Sequence, residues 1–566
     1  MMWRLPIFML LVSFRAPGSD NATTILELQR FRRADSIPIK AKDGRQGNAT
    51  LINLNPAINA WYVLEVAWTG TSTASYHLEN PKAEAQKLLL DENYPFGLVI
   101  VGGKNRYSCD LFGTDVLVQA RTSRAIYQPL CEGRIYLRNP ATGHRTTLEA
   151  AAEFLREHVW GGEKIISLGH ILLGDAYRES GTIEPNAQPG ANVNAGEDRP
   201  LPALINSKYS DRLLTSSNLG IDLGGAEKTG MIPGAWYRAN GNRGVYVSIV
   251  QPNLIDAAIL QTQPKRVNNL DGVEASALVC LIAFDLDRFD LEYALGTEHP
   301  KVGWSEHMLL AMRDPNFAGP DGIVSIAPLV GTGLISPSDV PKTVAAFTAG
   351  FKREHGAFKY GDFALRNHGS HYGFIEAGVV LSKLQPGLST ILVLDDGSVE
   401  MKTWTEADNK LLNRIKHARQ NGVPLIEFDA GSQSPVAGAL VNRWGAGNWS
   451  GSEDMKLRTI RSGAAFEKNH GKRFFIYAVF SAATPSAMER VFEAYRCDYA
   501  MLLDMNALEH TYLALYRRSG PELFVDHLLK GMSELDKPVS GEIIPRFLGY
   551  ADNRDFFYIT RKEAGR

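Results

Sequence analysis

Four short segments in the second half of the chain gather residue types that do chemistry. They are Phe347-Thr-Ala-Gly-Phe-Lys352-Arg-Glu-His355-Gly356, Ala418-Arg419-Gln420-Asn421-Gly422, Thr459-Ile-Arg461-Ser462-Gly463 and Ala500-Met-Leu-Leu-Asp504-Met-Asn506. Each closes an apolar run or a helical pattern and passes into small or polar residues, so a rigid element end can present its side chains to a shared cleft. Arg461 and Arg419 carry planar forks suited to two parallel, charge-assisted bonds with a phosphate. Asp504 offers a carboxylate as nucleophile, base or stabiliser of positive charge at carbon. His355 offers an acid or base. Asn506 and Asn421 suit hydrogen bonds to ligand hydroxyls, and Thr348, Lys352 and Gln420 add further substrate contacts. Trp444 and Trp449 flank the glycine-rich run W-G-A-G-N-W-S-G, where Trp449 is a platform for a sugar face or a core residue. Structural readings stand beside these: an arginine at a strand edge can serve an ion pair, Asp504 can cap a turn, and Asn421-Gly422 is an ordinary helix stop.

The order of these motifs is itself a signal. F-T-A-G-F-K-x-x-H-G is followed by D-D-G-S-V at Asp395 to Val399, then R-Q-N, R-S-G and an apolar run ending L-D-M-N. This series resembles the phosphodiester glycosidase family, which includes the lysosomal uncovering enzyme that removes N-acetylglucosamine from a sugar phosphodiester. It is most similar to a bacterial branch with L-D-x-N in place of L-D-G-G-G-S, and it covers about residues 233–518. The resemblance implies a hydrolase acting on a bond between an anomeric carbon and a phosphate oxygen. Asp504, His355 and Arg461 would then be catalytic, and the leaving phosphate, already a stable anion, would need little proton donation. Thr348-Ala349-Gly350 stands where the family has Asn before paired glycines, and Met505-Asn506-Ala507 stands where it has a glycine-rich step. A carbohydrate- or envelope-binding protein without turnover therefore stays open as the alternative, as does an exported structural protein with protein partners. Signatures for nucleotide binding, zincin chemistry and the α/β-hydrolase elbow are absent. His355, His368 and His371 lie near Asp362 and Glu376 without the spacing of a zinc motif, so no metal or cofactor is assigned.

The elements that must position these residues read as follows. Residues 20–145 alternate apolar and polar positions in short runs broken by turn residues, which predicts a β-rich accessory domain. Residues 146–232 hold a helix capped by Thr147 and running to Trp160, a second helix over Lys164 to Tyr177, and a linker from Glu179 to Pro202. Residues 233–518 form the main domain. Strands are predicted at 244–250, 277–286, 289–295, 343–351, 390–394 and 474–480, and helices at 406–420 and 485–495. That mixture predicts an α+β or mixed α/β class. Residues 519–566 are read as one helix, Leu523 to Met532, and a tail.

Bulk composition narrows the partner. The chain has 566 residues and a formal net charge of -2, so no basic stripe argues for nucleic acid. The implied partner is a carbohydrate or sugar phosphate. Leu5 to Phe14 is an apolar run after Arg4, too short for the ~20 residues a bilayer span needs. It predicts a signal peptide over residues 1–19, a secreted or periplasmic protein, and no membrane span in the mature form. Cys109 and Cys131 are close enough in sequence to pair in an exported protein, whereas Cys280 and Cys497 sit in apolar runs and read as buried thiols.

Overall fold

The computed structural model describes residues 24–147, 149–150, 178–184, 199–305, 308–358, 361–443 and 457–563. The predicted signal peptide, all but the start of the helix predicted to run from Thr147 to Trp160, the helix predicted over Lys164 to Tyr177, and the Trp444 to Trp449 run lie outside the described residues.

Runs rich in β-branched and aromatic residues fit a pleated, paired surface better than a helix of the same length. Val279–Asp285, Lys472–Ala483, Thr459–Asn469 and Tyr499–Met505 lie side by side at the centre of an eight-stranded antiparallel sheet. Val279–Asp285 is buried at every position and so is Tyr499–Met505, so both faces of this sheet are covered. One face receives the ten-residue helix Pro485–Ala494, with Phe492 meeting Phe480 at 5.6 Å between ring centres. Thr484 caps that helix by accepting from the Ala487 amide, and Pro485 opens it. The other face receives a five-stranded sheet ordered Phe289–Ala294, Phe556–Arg561, Thr343–Thr348, Leu513–Ser519, Glu522–His527. Phe347 joins the two sheets, stacking on Phe475 at 5.7 Å and Phe557 at 5.8 Å.

A third sheet of five strands carries Phe374–Glu376, Ile415–Gln420 and Ser389–Leu394. The N-terminal region forms a six-stranded antiparallel sheet and a three-stranded one around a separate core that includes Leu51, Leu64, Leu78 and Leu98. Cys109 and Cys131 are disulfide-bonded there, with Cα atoms 5.4 Å apart, and Cys280 and Cys497 are buried free thiols. Arg138 anchors this region to the main body. It pairs with Glu79 at 2.5 Å, lies 3.6 Å from Glu376 and stacks over Trp61. Among the described residues no helix is long and apolar enough to cross a membrane.

The α+β expectation is overturned. Among the described residues strands make 38% and helices 16%, and every paired strand is antiparallel to its neighbours. The helix predicted at 406–420 is a single 3-10 turn, Glu406–Leu411, followed by the strand Ile415–Gln420. Thr405 and Asp408 start a capping box, but Ile415–Gln420 gains a five-pair ladder with Ser389–Leu394 and pairs at Ala418 and Arg419 with Phe374–Glu376 on its other side, and that pairing outweighs local helical preference. The helix predicted at 523–532 is the strand Glu522–His527 and a 3-10 turn. The C-terminal stretch supplies Phe556–Arg561, which lies between Phe289–Ala294 and Thr343–Thr348.

Candidate active site

The run Leu502-Leu503-Asp504 ends the Tyr499–Met505 strand, and Asn506 follows at φ +83°, a left-handed conformation that asparagine tolerates and that turns the chain away. Pairing with the neighbouring strand slips between Arg461 and Gly463. Ser462, at the slip, replaces the lost ladder contact: its hydroxyl accepts from the Asp504 amide at 3.1 Å and donates to the Asp504 carbonyl at 3.2 Å. Such an irregularity re-aims the side chains beside it. The Asp504 carboxylate accepts from the Met505 amide at 2.8 Å through Oδ1 and from Arg554 Nη1 at 2.9 Å through Oδ2.

Arg554 is the hub. It belongs to Asp552-Asn553-Arg554-Asp555, four consecutive buried polar residues that lead into Phe556–Arg561. Its Nη2 lies 3.0 Å from Glu149 Oε1 and donates to His510 Nε2 at 2.8 Å, and Nε donates to the same glutamate oxygen at 3.2 Å. Glu149 also accepts from Asn553 Nδ2 at 3.1 Å and faces Lys352 Nζ at 3.5 Å. One guanidinium therefore spans two carboxylates that lie hundreds of residues apart in sequence. Glu149 is brought there by a helical turn whose start is Thr146, not Thr147: the Thr146 hydroxyl accepts from the Glu149 amide at 3.0 Å.

The two carboxylates have opposite proton affinities. Burial pushes Asp504 up to about 6, against the pull of Arg554. Burial works on Glu149 in the same direction, but Arg554 and then Lys352 overcome it and hold the group well below the usual carboxylate range. His510 is kept well below its ordinary value by burial and by Arg554, so its ring is neutral near pH 7. Its Nδ1 lies 2.7 Å from the Met505 carbonyl and so carries the proton, leaving Nε2 to accept from Arg554. A pair of acids whose surroundings separate their pKa values is the arrangement used for general acid–base work.

The residues named from the sequence fall into distinct places. Asp504 is in the cluster. Lys352 joins it through Glu149, and Thr348 supports it, donating to the His510 carbonyl at 2.7 Å. Asn506 lies two residues beyond Asp504, its Oδ1 buried without a partner among the described residues. Arg419 belongs to an adjoining buried set, where its Nε meets Asp555 Oδ2 at 2.8 Å and Nη2 reaches the Phe351 carbonyl. Asp555 also accepts from Tyr293 at 2.9 Å and lies 2.7 Å from His299. Gln420 and Asn421 have a scaffold role. Gln420 spans Gln385 and Thr390, and Asn421 donates to the carbonyls of Leu502 at 2.7 Å and Leu503 at 2.6 Å, fixing the strand just before Asp504. The helix stop read at Asn421 is thus a strand end. Arg461 is fully buried and, among the described residues, donates to the Ala483 and Leu457 carbonyls and the Met505 sulfur. His355 is half-buried in the turn Arg353–Gly356 after Lys352. Trp449 lies outside the described residues.

Glu149, Arg554 and His510 were not singled out from the sequence. Thr146-x-x-Glu149 is a readable capping pattern, and the D-N-R-D run before an aromatic strand is an unusual density of charge at a strand start. Neither points to the other without the fold. No protein-family model matches the chain, and no curated protein matches it in sequence.

Proposed function

We propose that this protein is an exported glycoside hydrolase-like enzyme that cleaves a sugar–phosphate diester or a related glycosidic linkage. The observation that carries the reading is Arg554 bridging Asp504 and Glu149 in a buried site where the two carboxylates titrate apart. Asp504, at about 6, is ionised near pH 7 and still basic enough to take a proton from an attacking water. Glu149 stays anionic and offsets positive charge that develops at the anomeric carbon. Arg554 sets the spacing of the two, and neutral His510 holds Arg554 in place. The motif order described above supports a sugar phosphodiester as the substrate class.

The test is sugar release from a panel of sugar-1-phosphodiesters by the wild type, Asp504→Asn and Glu149→Gln, each checked for folding by thermal melting. Release by the wild type, lost in both folded variants, supports the reading. Binding of glycans by the wild type without any release would replace it with a carbohydrate-binding protein.

A further inference from the structure

Where the cluster meets solvent, two cations converge on one carboxylate. Arg145 donates through Nε to Glu298 Oε1 at 2.9 Å and places Nη2 2.5 Å from Glu298 Oε2. Lys352 Nζ lies 3.9 Å from that same Oε2 while it also faces Glu149. The Arg145 and Glu298 side chains are 36% and 26% exposed, whereas Lys352 and Glu149 are 4% exposed each. Glu298 thus occupies the outer end of a line of charge that runs inward through Lys352 to Glu149 and Arg554. The backbone is held independently of its carboxylate: the Glu298 amide donates to the Asn553 carbonyl at 3.3 Å, and the Thr297 amide donates to the Asp552 carbonyl at 3.0 Å. On the preceding residue, the Thr297 hydroxyl oxygen lies close to Gly143 and is buried with no hydrogen-bond partner among the described residues.

We propose that Arg145, Lys352 and the Thr297 hydroxyl form the seat for a substrate phosphoryl group, and that the Glu298 carboxylate is a placeholder that the phosphoryl group displaces. The subsite rests on the hydrolase reading for its place in a reaction, but its anion chemistry stands on these contacts alone. A phosphoryl oxygen set meets the Arg145 fork as a carboxylate does, carries more acceptor capacity, and has an oxygen to receive the unpartnered Thr297 hydroxyl. Glu298 is the group able to move, being a partly exposed side chain whose ion pair with Arg145 contributes only about 1 kcal/mol or less. Its release keeps the buried Lys352 charge paired throughout.

The experiment is calorimetric titration of the full-length protein with inorganic phosphate, at fixed ionic strength. Glu298→Gln removes the competing charge and is expected to tighten phosphate binding by about five-fold, the ratio that ~1 kcal/mol represents. Adding Arg145→Gln to that variant is expected to cancel the gain. An unchanged affinity in Glu298→Gln, a gain that survives loss of Arg145, or no binding in any variant overturns the proposal. Glu298→Ala repeats the test if the glutamine variant melts early. Phosphate binding with this pattern but no sugar release refutes the hydrolase reading and leaves the seat standing; sugar release without the pattern refutes only the seat.

Discussion

Two arginines in this protein are buried almost equally, Arg353 at 1% exposure and Arg554 at 5%, yet their surroundings differ in kind. Among the described residues Arg353 pairs with Asp321 at 2.6 Å and donates to Ser382 Oγ and to the Lys301 and Gly303 carbonyls. Asp321 in turn is closed by Ser382 at 2.9 Å and the Lys383 amide at 3.1 Å. Arg554 is shared between two carboxylates and an imidazole. A pair closed by neighbouring backbone and hydroxyl groups fixes loops together. A cation shared by two carboxylates lowers both, and here burial prevails at Asp504 while Lys352 adds to the pull at Glu149, so the two titrate apart. Burial alone therefore does not mark a functional arginine; the number and the inequality of its acidic partners do.

The sharpest break of this comparison is Asp504→Asn. Sugar release should fall about a thousand-fold, within the range for loss of an acid–base group, while the melting temperature moves by no more than about 3 °C. Arg353→Met should do the reverse. Removing one partner of a buried pair costs about 3–5 kcal/mol, read by urea denaturation, with turnover per folded molecule unchanged. Glu149→Gln should fall between them, losing about 2 kcal/mol of stability with its charged hydrogen bonds and most of the activity as well. A melting temperature for Asp504→Asn that drops as far as for Arg353→Met would erase the distinction between the two sites.

The smallest effect is in pH. Asp504 must be ionised to act as a base, so kcat/KM should rise about ten-fold per unit up to a bend near pH 6 and level off above it. Glu149 has the opposite linkage. Its folded pKa is depressed, so its contribution to stability is present above the ordinary glutamate range and is lost as the pH falls below it. Acid melts should therefore show early loosening that Glu149→Gln abolishes, whereas the bend in activity persists in any variant that keeps Asp504.

Much of the strand layout was readable because the strands are long apolar runs between turn residues, as at Val279–Asp285 and Phe289–Ala294. The helix predicted at 485–495 is found at Pro485–Ala494, where Thr484 caps it. Ile415–Gln420 was misread because it follows a real capping box, and no local signal says that two distant strands flank it. Arg461 shows the same limit of local signals: residue type and motif position suit phosphate, whereas its burial and its bonds to the Ala483 and Leu457 carbonyls come from the fold.

Residue type and local pattern alone place Asp504 at the end of an apolar run, Lys352 after a strand, and Cys280 and Cys497 in apolar surroundings. These follow from composition within a few residues, where hydrophobic pattern and turn chemistry act. Only the tertiary structure decided that Asp504 meets Arg554 and Glu149, that Arg419 serves Asp555, and that Glu298 stands between Arg145 and Lys352. Those meetings depend on strand register and sheet stacking between segments far apart in the chain. The burial that raises Asp504, and the convergence of Arg554 and Lys352 that overcomes the same burial at Glu149, exist only once those layers have closed.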